Sequence, residues 1–145
     1  AAGLPLVGAM ALAANRPGPI DVFDVIGAAV LLTGVIGTGI SDWQLARFKA
    51  DPRNRGRVCD VGLWSLSRHP NYFFEWLSWC AWPIIAFDIV GYPVGLMAVL
   101  APMLMYYLLA HVSGVPPLEA HMERSRPEAF AAYKDRVPVF FPKLF

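Results

Sequence analysis

Charge is what this sequence has least of. Of 145 residues only 12 are Lys or Arg and 11 are Asp or Glu, 16% in all, where an ordinary soluble domain carries about a quarter. Cysteine is nearly missing too: Cys59 and Cys80 form no C-x-x-C and no paired spacing, which argues against a disulfide framework or a zinc site and for two reduced thiols. His69, His111 and His121 lack an H-E-x-x-H pattern or a helical i, i+4 partner, so no metal site is expected. No charged segment followed by an apolar run and a small-residue cleavage site opens the chain, so Ala1 to Ala14 does not read as a signal peptide.

What fills the space is hydrocarbon. Hydrophobic residues make up 57% and the mean hydropathy is +0.47, which predicts one all-α domain, a polytopic transmembrane helix bundle, with short interfacial or cytoplasmic helices in its tail. Ala1 to Ala14 is apolar but shorter than the roughly 20 residues a span requires, and reads as the stub of an earlier span. Pro17-Gly18-Pro19 then forces a loop. Spans are expected near residues 20–45, 73–90 and 92–111, the first with Gly27, Gly34, Gly37 and Gly39 for close helix packing and the others with Pro83 and Pro102 as kinks. Residues 118–145 form a polar tail, in which Ser125-Arg126-Pro127-Glu128 reads as a capping box opening a short helix through Tyr133. The proline-broken V-P-V-F-F-P-K-L-F end is expected at the membrane interface.

Lys and Arg gather in two places, residues 47–68 and 124–143, separated by two expected spans, while the loops near Asn15 and Asp88 are almost free of them. Both basic regions therefore belong on the same side of the membrane, the cytoplasmic one. Arg53, Arg55 and Arg57 taken alone read as headgroup anchors, each worth about 1 kcal/mol. The run from Asp60 to Trp79 asks for more. Asn71 follows Pro70 at a helix start, where an anionic ligand is favoured. Tyr72 and Glu75 lie three apart on one face, and a carboxylate at membrane depth points to function; these two are the candidates for catalysis. Together these features ask for a charged cofactor reached from the cytoplasm and an apolar substrate held in lipid.

The segment W-S-L-S-R-H-P-N-Y-F-F-E-W (Trp64 to Trp76), with S-D-W-Q-L-A-R-F-K before it and S-G-V-P-P-L-E and R-P-E-A-F-A-A-Y-K-D-R-V after it, resembles the C-terminal half of the steroid 5-alpha-reductase-like membrane proteins of the DUF1295 type, and more distantly the isoprenylcysteine carboxyl methyltransferases. In the reductases this half binds NADPH. Carried over by position, the resemblance implies cofactor contacts from Asp42, Lys49, Trp64, Asn71, Tyr72, Glu119, Arg126 and Tyr133, with Glu75 in the same polar cluster. It implies hydride transfer from NADPH to a carbon–carbon double bond of a steroid, isoprenoid or similar lipid, with the proton donor supplied by helices upstream. Leu45 and Phe74 stand where the relatives often carry lysine and glycine. The expected partners are a lipid substrate within the bilayer and the membrane lipids themselves, and no nucleic acid. The first alternative is an S-adenosylmethionine-dependent membrane methyltransferase, its sulfonium facing Glu75, Glu119 and Glu123. The second is a non-catalytic subunit of a larger membrane complex, docking through the face of Gly27 and Gly34.

Overall fold

The structure, a computed structural model, describes residues 3–145 and contains helices and no strands among them. Two helical runs are long and apolar enough to cross a membrane, Val22–Ala50 and Pro93–Ser125, which supports a membrane protein. The chain divides into two compact units, Ala1–Val35 with Glu75–Tyr107 and Ile36–Phe74 with Leu108–Phe145.

Helix α1 (Gly3–Ala14) packs in the first unit on a 3-10 segment, Pro93–Val99, and on α4 (Leu100–Tyr107). The contact is made by alanines. Ala9, Ala13, Ala86, Ala98 and Ala101 are buried together, and their small side chains let the backbones approach closely. The same device recurs between α2 (Val22–Ala50) and α3 (Pro70–Ile85), where a Cβ on Gly27 would stand 2.3 Å from Ile85 Cγ1. Gly27 and Gly34 are buried, so that face of α2 is covered within the chain. Its opposite face exposes Val25, Leu32, Val35, Ile36 and Ile40, as a lipid-facing surface requires. Between α1 and α2 the Arg16 guanidinium grips Asp21 at 2.6 Å and also Asp24. The hydrogen bond from Arg16 draws the Asp21 carboxyl down to about 2, against the opposing pull of desolvation.

α3 starts three residues before the expected boundary, because Pro70 fits the first helical turn, where its missing N–H is not needed. It stops at Ile85, and Asp88 accepts hydrogen bonds from the Val90 and Gly91 amides in the turn beyond. The third apolar run is not one regular helix: after Pro93–Val99 and α4 it widens into a π turn, Leu108–Val112. A Cβ on Gly114 would meet the Leu109 carbonyl at 2.3 Å, so only glycine fits where this turn hands over to α5 (Val115–Ser125). The helix expected from Pro127 is present as α6 (Pro127–Arg136), but the capping box does not form. Ser125 is used as the last residue of α5, and Arg126, with no side-chain cap bond, occupies the N-cap position.

The second unit also holds two 3-10 turns, Pro52–Asn54 and Gly62–Ser65, and the start of α3. One core cluster is Phe48, Cys59 and Trp64, and another is Phe130, Tyr133 and Val137. The proline-broken end folds back over the Arg-His-Pro turn. Pro138 O accepts from the Arg68 amide at 2.9 Å, Phe140 O from Ser67 Oγ at 2.7 Å, and Lys143 N donates to Leu66 O at 2.8 Å. Phe140 is buried by this strap, while Phe141, Leu144 and Phe145 remain exposed.

Candidate functional site

The polar residues of the second unit close a cavity of about 530 Å3, within the range of small-molecule and cofactor sites. The end of α2 supplies Phe48 and Lys49, the loop after it Arg55, Arg57 and Cys59, and the Gly62–Ser65 turn Trp64. The Arg-His-Pro turn supplies Arg68, His69 and Asn71, α5 supplies Glu119, His121 and Met122, and Arg126, Phe130 and Tyr133 complete the wall.

Its architecture depends on carbonyls and one carboxylate. Tyr133, 3% exposed, donates its hydroxyl to Trp64 O at 2.5 Å and lies 3.3 Å from Ser67 O. Trp64 in turn donates Nε1 to Ser41 O at 2.9 Å. The chain α2–Trp64–Tyr133 thus ties three segments together with buried polar groups that have found partners. Burial drives the Tyr133 phenol well above its ordinary value of 10.0, so it stays protonated and acts as a donor. Burial likewise pushes the Cys59 thiol up, which makes it a packing group rather than a nucleophile. On the opposite wall Glu119 accepts from Arg68 Nη1 at 3.0 and 3.1 Å and pairs with His69 Nε2 at 2.9 Å. All three side chains are largely buried. Glu119 therefore anchors α5 to the Arg-His-Pro turn.

Six of the eight residues expected at a cofactor site line this one cavity: Lys49, Trp64, Asn71, Glu119, Arg126 and Tyr133. Asp42 does not line it but accepts from Asn71 Nδ2 at 3.2 Å and so orients that amide. Tyr72 is also outside the lining, its ring stacked on His69 at 5.5 Å and 10°. Glu75 belongs to the other compact unit and is not a lining residue. The structure adds Arg68, His69, Arg55 and Arg57 to the site. The first two were visible in sequence as an Arg-His-Pro turn, but their shared partner, Glu119, lies about fifty positions away.

Charge within the cavity is unbalanced. Lys49, Arg55, Arg57, Arg68 and Arg126 face only two carboxylates, Asp51 and Glu119, and both are engaged: Asp51 by Arg53 at 2.7 Å, Glu119 by Arg68 and His69. Three buried polar atoms are left without a partner: Arg68 Nε, Arg126 Nε and Asn71 Oδ1. An orphaned buried donor costs on the order of 1 to 3 kcal/mol, and two guanidinium edges in one cavity lining call for anionic acceptors. The donor set therefore fits a phosphate-bearing cofactor.

These features define a class: a helical membrane protein with a cationic, cofactor-sized cavity built from its loops and tail. The family described as protein of unknown function DUF1295 matches residues 2–137, and the chain belongs to this steroid 5-alpha-reductase-like family. Comparison with curated proteins and with solved structures gives no match.

Proposed function

We propose that the chain is an NADPH-dependent reductase that saturates a carbon–carbon double bond in a membrane lipid of the steroid or isoprenoid kind, with NADPH held in the second unit's cavity. The observation that carries this reading is the surplus of unneutralised cations around buried guanidinium edges, which suits a ligand with several phosphate charges. In this reading Arg68 and Arg126 hold phosphate oxygens, Glu119 keeps Arg68 in place, and Asp42 turns the Asn71 amide so that its free oxygen accepts from the ligand. When bound, the reduced nicotinamide supplies a hydride to one carbon of the double bond. The other carbon takes a proton. Tyr133 is not its source, because its hydroxyl is committed to Trp64 O and its phenol is held neutral. Since the cellular NADPH pool is cytoplasmic, the proposal sets this cavity on the cytoplasmic side of a bacterial inner membrane.

The methyltransferase alternative is less well supported by the same charges: a sulfonium would enter a cationic cavity whose two carboxylates are already paired. The accessory-subunit alternative loses its docking face, since Gly27 and Gly34 are buried within the chain. Membranes containing the overproduced chain, given NADPH deuterated at the transferring position, are expected to yield a lipid with one double bond fewer that carries one deuterium and one added proton across the former bond, detected by mass spectrometry against membranes lacking the chain. No deuterated lipid, or transfer of a trideuteromethyl group from labelled S-adenosylmethionine instead, would sink the reductase reading.

A further inference from the structure

The cavity's polar groups that are open to an anionic ligand fall into two sets, one of unpartnered buried atoms and one of exposed cations without a counter-charge. The first is buried: Asn71 Oδ1, Arg68 Nε and Arg126 Nε. The second is exposed: Lys49, Arg55 and Arg57, none of which has a carboxylate partner among the described residues. Arg57 makes one side-chain hydrogen bond, to Asn54 Oδ1 at 3.2 Å. Arg53, two positions from Arg55, shows the contrast, being neutralised by Asp51 at 2.7 Å. The two sets are separated along α2. Asn71 is hydrogen-bonded at the level of Asp42, and Lys49 stands seven residues further along the same helix, about 10 Å at 1.5 Å per residue.

We infer that the dinucleotide lies along the end of α2 with its nicotinamide end at Asn71 and its 2′-phosphate at Lys49, Arg55 and Arg57, so that this loop is what selects NADPH over NADH. The inference rests on the reading of the cavity as an NADPH site. A phosphate monoester carries close to two charges at neutral pH and is the most hydrated part of the ligand. It is best met by several exposed cations that leave it partly solvated. The pyrophosphate is internal and singly charged on each phosphorus, which matches the buried edges of Arg68 and Arg126. Asn71 Oδ1 can only accept, and its orientation is fixed because Nδ2 is given to Asp42. A carboxamide N–H is the donor at the nicotinamide end that supplies what it lacks. Asn71 also lies in the first turn of α3.

The test measures binding, not turnover. Detergent-solubilised wild type and the double variant Arg55→Gln/Arg57→Gln are titrated with NADPH, NADH and adenosine 2′,5′-bisphosphate. Glutamine removes charge from an exposed loop and leaves the core untouched, and an unchanged melting temperature verifies that the variant is folded. Wild type is expected to prefer NADPH to NADH by at least about tenfold. The variant should bind NADPH about 10- to 100-fold more weakly, from charge-assisted hydrogen bonds lost to the phosphate, with the bisphosphate weakened in parallel and NADH changed less than about threefold. Equal loss for both dinucleotides, no loss for either, or a wild type that binds both equally would overturn the inference while leaving the NADPH reading in place. A wild type that binds neither dinucleotide would overturn both.

Discussion

Replacing Glu119 with alanine is expected to lower the stability of the fold by about 2 to 4 kcal/mol and to remove nucleotide binding. The carboxylate is bound by Arg68 and His69 at 2.9 to 3.1 Å, and the three side chains expose only 17%, 13% and 8% of their surface. Truncating one member of such a set leaves a guanidinium largely out of water with no counter-charge, a change that costs about 3 to 5 kcal/mol when burial is complete. The residual exposure here lowers that figure. Binding is lost because Arg68, freed from Glu119, no longer presents its Nε edge to the cavity. Glu119→Gln keeps the shape and one acceptor oxygen, so a smaller loss is expected. Lys134 and Glu123 provide the control. Their 2.7 Å pair also leaves from α5, joining it to α6, but is 37% and 55% exposed, so Glu123→Ala should cost less than about 1 kcal/mol. Thermal melts of the three variants in one detergent check the ordering, and equal losses for Glu119→Ala and Glu123→Ala would contradict it.

Tyr133→Phe should cost about 1 to 3 kcal/mol, the range for a buried hydrogen bond whose partner is left unsatisfied. The ring still fills its place between Phe130 and Val137, so this loss belongs to the hydroxyl and its bond to Trp64 O. Tyr133→Ala adds a cavity and should reach about 3 to 5 kcal/mol. The hydroxyl also sets a pH dependence. Its folded-state value lies above the ordinary 10.0, so the native state holds the proton more tightly than the unfolded chain. Its contribution is complete below about pH 10 and fades as the pH rises beyond it, where the unfolded form ionises first. Tyr133 should therefore be missing from the tyrosines that ionise near pH 10 in an ultraviolet titration. The phenylalanine variant should lose less stability than wild type between pH 10 and 11.

Much of the fold could be read from the chain because its signals are local. Apolar runs, a proline at the first turn of α3 and a Pro-Gly-Pro loop each act within a few residues. The residues implied by family resemblance also largely converge, as the shared cavity of Lys49, Trp64, Asn71, Glu119, Arg126 and Tyr133 shows. What local patterns could not reveal is pairing across the chain. Nothing near Glu119 announces that it receives both Arg68 and His69, and nothing in V-P-V-F-F-P announces that its carbonyls close over Ser67 and Arg68. Ser125 illustrates the opposite failure: the capping signature was complete in sequence, but α5 runs long enough to consume the serine. Asp42 and Tyr72 are grouped with direct contacts because the family resemblance carries them over by position. In the structure each touches a lining residue instead of the cavity itself.

Whether the cationic cavity takes a phosphate-rich dinucleotide is answered most directly by calorimetric titration of the purified chain with NADPH and, separately, with S-adenosylmethionine. The expected result is saturable NADPH binding that weakens steeply with added salt and is lost in Arg126→Ala, with no heat from S-adenosylmethionine beyond dilution. Binding of S-adenosylmethionine with none of NADPH would contradict the charge argument on which the reductase reading stands.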